Sequence, residues 1–313
     1  MPTSKEVNSQ ENLVVTKTAR FSWLGFAMAL PPVLVITCFI GIPILIAAGL
    51  SLGFTSGPNR VIALIGQEIH SKNHWWGTLD GYKSVFKDPR FFGDLKLTLS
   101  VTFVSTVVVI VMALGMAIYR RIRGGKLATV LVSLSLVPLF VPVVISAFAI
   151  KTFYDGTGFM KTLFAQFGID FPTLTMTSSA IVIGTIWTSL PFAILMISSG
   201  LQAIPDALIE SAQDAGASFF RIVHTIMIPL AFVPIIIATT FTAIGIMGSF
   251  TIPYFLGANQ PAMLGVEIPN FFSSYNRPQQ SVVMAFVIFG AASLVAIFYV
   301  WANLRSAKQS GRI

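Results

Sequence analysis

Residues 97–118 read LTLSVTFVSTVVVIVMALGMAI, a stretch without a charged side chain. A helix of about 20 apolar residues is long enough to cross the hydrocarbon of a bilayer. The rest of the chain has the same character, since 55% of its 313 residues are hydrophobic and only 10% are charged. About a quarter of the residues in a soluble domain are charged, so the composition excludes a soluble fold and favours a membrane protein.

Five further segments are as long and as apolar as residues 97–118. The predicted spans lie at about 24–52, 97–118, 127–150, 179–201, 226–247 and 282–302. The predicted fold class is therefore all-α, a polytopic membrane protein with about six transmembrane helices. A tail at 1–20 precedes the transmembrane domain at 21–302, and a second tail follows at 303–313.

The first predicted span differs from the others. It is too long for a signal-peptide core, so we expect it to stay uncleaved and the mature protein to start near Met1. Pro31, Pro32 and Pro43 lie within it, and proline removes a backbone donor, so this span is expected to be kinked.

Basic residues indicate which loops face the cytoplasm, because Lys and Arg concentrate on that side of a membrane. Placing 1–20, 119–126, 202–225 and 303–313 inside gives these segments 11 of the 20 basic residues. Their density of basic residues is then about twice that of the other loops. Much of the signal comes from Arg120, Arg121, Arg123 and Lys126. Both termini are therefore predicted to be cytoplasmic.

Several functions are excluded by what the predicted spans lack. They contain no His, Asp or Glu, so acid–base or metal chemistry inside the membrane is not expected and the chain is predicted not to be an enzyme. No catalytic residue and no metal site are assigned, since His70 and His74 have no convincing third ligand. No basic helix or aromatic-basic surface suggests nucleic acid. An ion-coupled secondary transporter stays open as the alternative, although such carriers usually keep an ionisable residue at membrane depth.

Residues 202–225, the loop between the fourth and fifth predicted spans, carry the most informative motif. Pro205 and Asp206 suit the start of a short helix, and Gly216 suits its left-handed C-terminal cap. Ile204, Leu208, Ala212 and Ala215 are predicted on one face of this helix, with Asp206, Glu210 and Asp214 on another. Ser218 is expected to cap a second helix that runs into the fifth span, near whose mouth Pro229 removes a backbone donor.

Residues 202–225 resemble the signature of permeases from binding-protein-dependent ABC importers, and on this ground we call them the coupling loop. That signature reads Glu-Ala-Ala, three residues, Gly, nine residues, then Ile-x-Leu-Pro. Here it is matched by Glu210-Ser211-Ala212, Gly216 and Ile226-Met227-Ile228-Pro229. Both spacings agree, and the departures are Ser211 for Ala and Ile228 for Leu.

The resemblance implies a location in a bacterial inner membrane, a mechanism and a set of partners. The short helix would dock on a cytoplasmic ABC ATPase dimer, which binds ATP and Mg. The other partners implied are a second permease subunit, which we expect to be a paralogue, an extracytoplasmic solute-binding protein and membrane lipid. The residues implied for coupling to the ATPase are Glu210, Ser211, Ala212, Asp214, Ala215, Gly216, Ile226 and Pro229. No phosphate-binding loop occurs in this chain, since Gly124-Gly125-Lys126 lacks the frame, so no cofactor is expected in it.

Other short motifs resemble the branch of this family that imports polyamines, opines and related small amino compounds. They are Leu79-Asp80-Gly81-Tyr82, Gly248-Ser249-Phe250-Thr251-Ile252-Pro253, Leu256-Gly257, Met263-Leu264-Gly265 and Asn276-Arg277-Pro278. Polar groups at membrane depth tend to face protein or water. The candidates for the substrate pathway on this ground are Trp187, Ser189, Ser249 and Tyr254.

Overall fold

A computed structural model of the chain describes residues 23–71, 77–258 and 261–309. Helices and turns make up these residues, and no strand occurs among them. The all-α class is therefore confirmed. The helices are α1 Trp23–Ile36, α2 Ile42–Ser51, α3 Arg60–Ile65, α4 Asp80–Lys87, α5 Pro89–Ile122, α6 Gly125–Ser135, α7 Val143–Tyr154, α8 Phe159–Ala165, α9 Ser178–Gln202, α10 Asp206–Asp214, α11 Phe219–Ile222, α12 Ile228–Leu230, α13 Phe232–Met247, α14 Thr251–Leu256, α15 Leu264–Pro269 and α16 Pro278–Gln309.

The chain divides into two compact units, Met1–Gly49 and Leu50–Ile313. In the first unit, α1 leads through a π-helical turn, Thr37–Gly41, into α2. The predicted first span is a helix that runs on through Gly25–Ser51, with a mean hydropathy of 2.7. The π turn ends just before Pro43, which cannot donate to the carbonyl four residues earlier. The predicted tail at 1–20 lies outside the described residues.

Three helices form the centre of the second unit, because α5, α9 and α13 pack against one another. Ala113 and Ala117 of α5 and Ala193 of α9 are buried in one apolar cluster, and such small side chains let two backbones come close. Near the middle of the same helix pair, the hydroxyls of Ser105 and Thr185 are hydrogen-bonded at 2.8 Å. Close packing and interhelical hydrogen bonds hold helices together where lipid supplies no hydrophobic drive.

Two predicted spans are bent pairs of helices in the structure and not single helices. The segment at 127–150 is broken between α6 and α7, with a bend of 110° between Gly125–Phe140 and Val143–Ala165. The segment at 226–247 is broken at Ala231, with a bend of 72° between Phe219–Leu230 and Phe232–Met247. Prolines cause both breaks, because each removes a helical hydrogen bond and clashes with the preceding turn. They are Pro138 and Pro142 at the first break, and Pro229 and Pro234 at the second.

The remaining predicted spans are continuous, and some extend beyond their predicted ends. The described residues contain four straight helices that are long and apolar enough to cross a membrane, or six spans if each bent pair is one. The span predicted at 97–118 belongs to a helix that already begins at Pro89. Residues 303–309, predicted as part of a tail, continue α16; the end of that tail lies outside the described residues.

Because α5 starts early, it includes Asp94, whose side chain is buried. Asp94 lies before the predicted span at 97–118, which itself holds no acidic residue. The Asp94 carboxylate accepts a hydrogen bond from Ala262 N at 2.9 Å. One turn later, Thr98 Oγ1 accepts from Leu264 N at 2.9 Å. These two side chains connect residues 262–264, which lead into α15, to α5. The Asp94 side chain therefore has a structural role.

The same end of the second unit is held by the start of α16. Gln279 Nε2 donates to His70 O at 2.9 Å, and its Oε1 accepts from His70 N at 2.7 Å. Arg277 pairs with Glu68 at 2.6 Å. Through these bonds α16 orders the loop that follows α3. His74, which was considered as a metal ligand, lies outside the described residues.

The contact between α9 and α13 yields a test of the packing. A Cβ at Gly200 would lie 2.5 Å from Cγ and 2.6 Å from Cβ of Pro234, whose ring cannot rotate away. We expect Gly200→Ala to lower the melting temperature of the purified protein, since such overpacking costs about 1–3 kcal/mol.

Gly245→Ala, in α13, is the matched control, because no atom lies within 4 Å of a Cβ at that position. Alanine is also the better helix former, so this variant should melt at or above the temperature of the unmodified chain. Equal melting temperatures for the two variants would contradict the close packing of α9 on α13.

Candidate functional site

The coupling loop begins with α10, a helix that buries little of its surface. Ile209 is its buried side chain, and Ala212 packs partly against the same apolar cluster. Leu208 and Ala215 are exposed, so the predicted apolar face was wrong. Ile204 lies before the helix begins and cannot extend a face along it, which leaves Ile209 and Ala212, three residues apart, to set the buried side.

The polar side of α10 is exposed. Most residues implied for coupling are exposed there or in the following turn, namely Glu210, Ser211, Asp214, Ala215 and Gly216. Pro229 is exposed as well, whereas Ala212 and Ile226 pack partly against the core. The docking role of these residues stays a prediction, and the arrangement divides them into an exposed group and a group that fixes the loop in place.

A sharp turn follows α10 at Gly216. Its φ is +76°, a left-handed value that favours glycine. Gly216 N donates to Gln213 O and Ala217 N donates to Ala212 O, both at 2.9 Å. This pair of bonds is a Schellman motif, which satisfies carbonyls at the end of a helix. The predicted left-handed cap at Gly216 is confirmed.

The second helix of the coupling loop runs from Phe219 to Leu230 with a π turn inside it, Val223–Met227. Ser218 occupies its N-cap position in an extended conformation, without the side-chain hydrogen bond expected there. Ile222 and Met227 are buried, whereas Phe220 is 80% exposed. The helix therefore packs along one side before the chain bends into α13.

One residue near α10 was missed by the sequence analysis. Arg121, in the last turn of α5, has a side chain that is 16% exposed. It donates from Nε to Leu201 O at 3.0 Å and from Nη2 to Ile204 O at 2.7 Å, and its Nη1 pairs with Asp206 Oδ1 at 2.6 Å. Its three partners lie about 80 residues further along the chain. In the sequence, its only signal is a basic residue at the end of an apolar run.

The four predicted pathway residues are spread over three parts of the structure. Trp187 and Ser189 belong to α9, Ser249 to the connection after α13, and Tyr254 to α14. Residues two positions apart in a helix are separated by about 200° around its axis. Trp187 and Ser189 therefore point to nearly opposite sides of α9. At most one of those two side chains can line a given path, and the assignment of all four stays a prediction.

Buried hydroxyls are a further set that the sequence analysis did not single out. Five of them have no hydrogen-bond partner within the described part of the chain: Thr102, Thr106, Ser146, Ser198 and Thr242. Buried polar side chains are nearly always hydrogen-bonded to protein or ordered water. These hydroxyls, on α5, α7, α9 and α13, are therefore alternative candidates for a polar path.

Spanning helices, bent helix pairs and a structured polar loop at one end together define an integral membrane protein. Residues 109–309 match the family described as "Binding-protein-dependent transport system inner membrane component". This match covers more than half of the chain, and the chain belongs to this family. The resemblance drawn from the coupling loop is thus confirmed, as is the expectation that the chain is not an enzyme, because the family consists of transport permeases.

Individual relatives are more distant. The spermidine/putrescine transport system permease protein PotB of Escherichia coli is 28% identical over 190 residues, covering 60% of this chain and 69% of PotB. The trehalose/maltose transport system permease protein MalF of Thermococcus litoralis is 29% identical over 257 residues, covering 80% of this chain and 82% of MalF. A chain from a bacterial ABC transporter involved in import of the acidic polysaccharide alginate has a TM-score of 0.69 at 21% identity, covering 91% of this chain and 96% of that one. At that identity the likeness shows the fold.

The turn at Gly216 can be tested without a transport assay. No atom lies within 4 Å of a Cβ at this position, so a substitution there meets a conformational cost and not a clash. For a side chain such as Val that cost is about 1–2 kcal/mol, and asparagine tolerates the left-handed region better than alanine. We expect Gly216→Asn to open the loop least, Gly216→Ala more and Gly216→Val most.

Trypsin cleavage after the exposed Arg221 reports this opening, because it requires local unfolding of α11. Gly216→Val should raise the cleavage rate about 5- to 30-fold. If the cleavage rate instead increases with side-chain size, the Gly216→Asn variant will be cleaved faster than Gly216→Ala. Crowding, and not backbone conformation, would then restrict the residue at position 216.

Proposed function

We propose that this chain is the transmembrane permease subunit of an ATP-driven ABC importer. It forms part of the translocation pathway for a small solute delivered by an extracytoplasmic binding protein. The observation that carries the proposal is the coupling loop, where a short helix fixed by Ile209 presents Glu210 and Asp214 to the surroundings. Membership of the binding-protein-dependent transport family supports it.

In this proposal, α10 docks in a groove of a cytoplasmic ATPase. Glu210, Ser211 and Asp214 supply polar contacts, and the small residues Ala215 and Gly216 allow close approach. Ala212 and Ile226 act from the other side, where they pack against the apolar cluster and hold the docking surface in position. Pro229 belongs to the bend through which the loop meets α13.

The energy for transport comes from the ATPase dimer, which binds ATP and Mg, so the permease supplies no catalytic group. A second permease subunit, a paralogue of this chain, completes the pathway. The coupling loop and both termini face the cytoplasm, an arrangement supported by the cluster Arg120, Arg121, Arg123 and Lys126 beside the loop. The opposite end of the helices receives the binding protein.

The solute is proposed to be a polyamine or a related small amino compound. The similarity to PotB, a spermidine/putrescine permease, supports this choice. A disaccharide is the second candidate, because the similarity to MalF, a trehalose/maltose permease, extends over 80% of the chain.

Charge reversal on the polar side of α10 tests the docking. Glu210→Lys should reduce the amount of ATPase that copurifies with the permease at least severalfold, because a docked carboxylate becomes an ammonium group of opposite charge. Asp170→Lys is the control. It introduces the same charge change in the loop before α9, where Asp170 is largely exposed and pairs with Lys161, and such exposed pairs contribute little.

The same preparation tests the class of transporter. Proteoliposomes with the assembled complex should take up solute only with ATP on the ATPase side and binding protein on the other. Uptake by this chain alone, driven by an ion gradient, would support the secondary transporter instead.

The choice of solute is tested by competition. We expect unlabelled spermidine or putrescine to suppress uptake into cells that depend on this system, while trehalose and maltose leave it unchanged. The binding protein sets the specificity in such a system, so its affinity for the same solutes is measured in parallel. Suppression by the disaccharides alone would replace the polyamine by the second candidate.

A further inference from the structure

The guanidinium of Arg121 joins three parts of the chain that lie around the coupling loop. Its acceptors are Leu201 O in the last turn of α9, Ile204 O in the connection and Asp206 at the first position of α10. Carbonyls in the last turn of a helix lack intrahelical partners, and arginine offers five donors in a fixed planar fork. One side chain thereby ties the end of α5 to the end of α9 and the start of α10.

This connection matters because it adds a polar link between α10 and α5 to the apolar packing of Ile209, which lies in one buried cluster with Ala113 and Ala117 of α5. The chain itself links α10 to α9 through residues 203–205, and Ile209 is the buried side chain of α10. By contrast, α5 lies far away in sequence and ends at Ile122, one residue after Arg121. A movement of α10 therefore reaches α9 through covalent bonds, whereas its direct polar route to α5 is the Arg121 side chain.

Neighbouring basic residues do not share this role. Arg120 and Arg123 are exposed, and within residues 77–258 no ion pair of either is found. The arrangement at Arg121 is also asymmetric. Its own side chain is mostly buried, whereas that of Asp206 is 73% exposed, so the guanidinium depends on its partners more than the carboxylate does.

We propose that Arg121 is the positioning residue through which movement of α10 is passed to α5. The inference rests on the proposed function, because it assumes that an ATPase moves α10. While the three bonds hold, α5, α9 and α10 move as one body, and the Ser105–Thr185 bond and the small residues between α5 and α9 extend that body along the membrane. Without the three bonds of Arg121, a movement of α10 displaces α5 less. Less solute is then transported for each ATP that is hydrolysed.

The test measures the solute transported per ATP hydrolysed in proteoliposomes that hold the complete complex with its binding protein. A coupling free energy between two sites commonly corresponds to about a 5- to 150-fold effect, and we expect Arg121→Ala to lower the ratio about tenfold. Arg121→Lys keeps the charge but not the fork and should recover part of the loss. Arg120→Ala, the adjacent exposed arginine, is the control and should leave the ratio unchanged.

Asp206→Asn is a second, milder variant that keeps the test valid if Arg121→Ala fails to fold. It removes the charge of one acceptor and leaves both carbonyl bonds of Arg121, so the complex should assemble normally. The ratio should fall about two- to threefold, as expected for an ion pair whose carboxylate is largely exposed. The inference is overturned if Asp206→Asn leaves the ratio unchanged, or if Arg121→Ala lowers transport and hydrolysis in the same proportion as assembled complex.

The proposed function and the role of Arg121 are contradicted by different results. If the unmodified chain does not assemble with an ATPase, the proposed function is wrong. If the unmodified complex couples ATP hydrolysis to uptake but the Arg121→Ala complex does so equally well, only the role of Arg121 is wrong.

Discussion

Hydrocarbon offers no hydrogen-bond partner to a peptide group, so each backbone N–H and C=O inside a bilayer has to be satisfied by the chain. Residues 89–122, 178–202 and 278–304 meet this demand with continuous helices. Polar structure is consequently placed at the helix ends, where water or other protein can reach it. The coupling loop at one end and the bonds of Asp94 and Gln279 at the other are both of this kind.

Prolines decide where the helices depart from this pattern. The breaks beside Pro138 and Pro142, and between Pro229 and Pro234, release carbonyls that have to be satisfied within the protein or by water. The second break has a direct consequence for the site, because it turns Phe219–Leu230 away from α13 by 72°. The two short helices α10 and Phe219–Leu230 therefore precede α13 as separate elements. Arg121 contacts the start of α10, and the second helix ends before the break at Ala231.

Features that depend on local chemistry could be predicted from the sequence. Long apolar runs identify spanning helices because transfer into lipid depends on composition, and a left-handed residue after α10 is signalled by Gly216 itself. The ends of α5 and α16 were less predictable, because residues 89–96 and 303–309 remain helical after the apolar run has stopped. The proline breaks were visible as residues, but apolar length alone does not reveal a bend of 110°.

Features that depend on distant parts of the chain could not be predicted. Leu208 and Ile209 are both apolar, and only the position of the surrounding helices makes Ile209 the buried one. The role of Arg121 depends on acceptors about 80 residues away. The family signature marks where the coupling loop lies, while the contacts that hold it against α5 emerge only from the packed structure.

The side of the membrane on which α10 lies is the claim on which the rest of the account depends. It is measured most directly with a cysteine at Asp214, introduced with Cys38 replaced by serine, and a membrane-impermeant maleimide. The account predicts that Asp214→Cys is labelled in inside-out vesicles but not in intact spheroplasts, and that binding of the ATPase protects it. A cysteine at Asp170 should show the opposite pattern. Labelling of Asp214→Cys in intact spheroplasts would place α10 outside the cell and contradict the account.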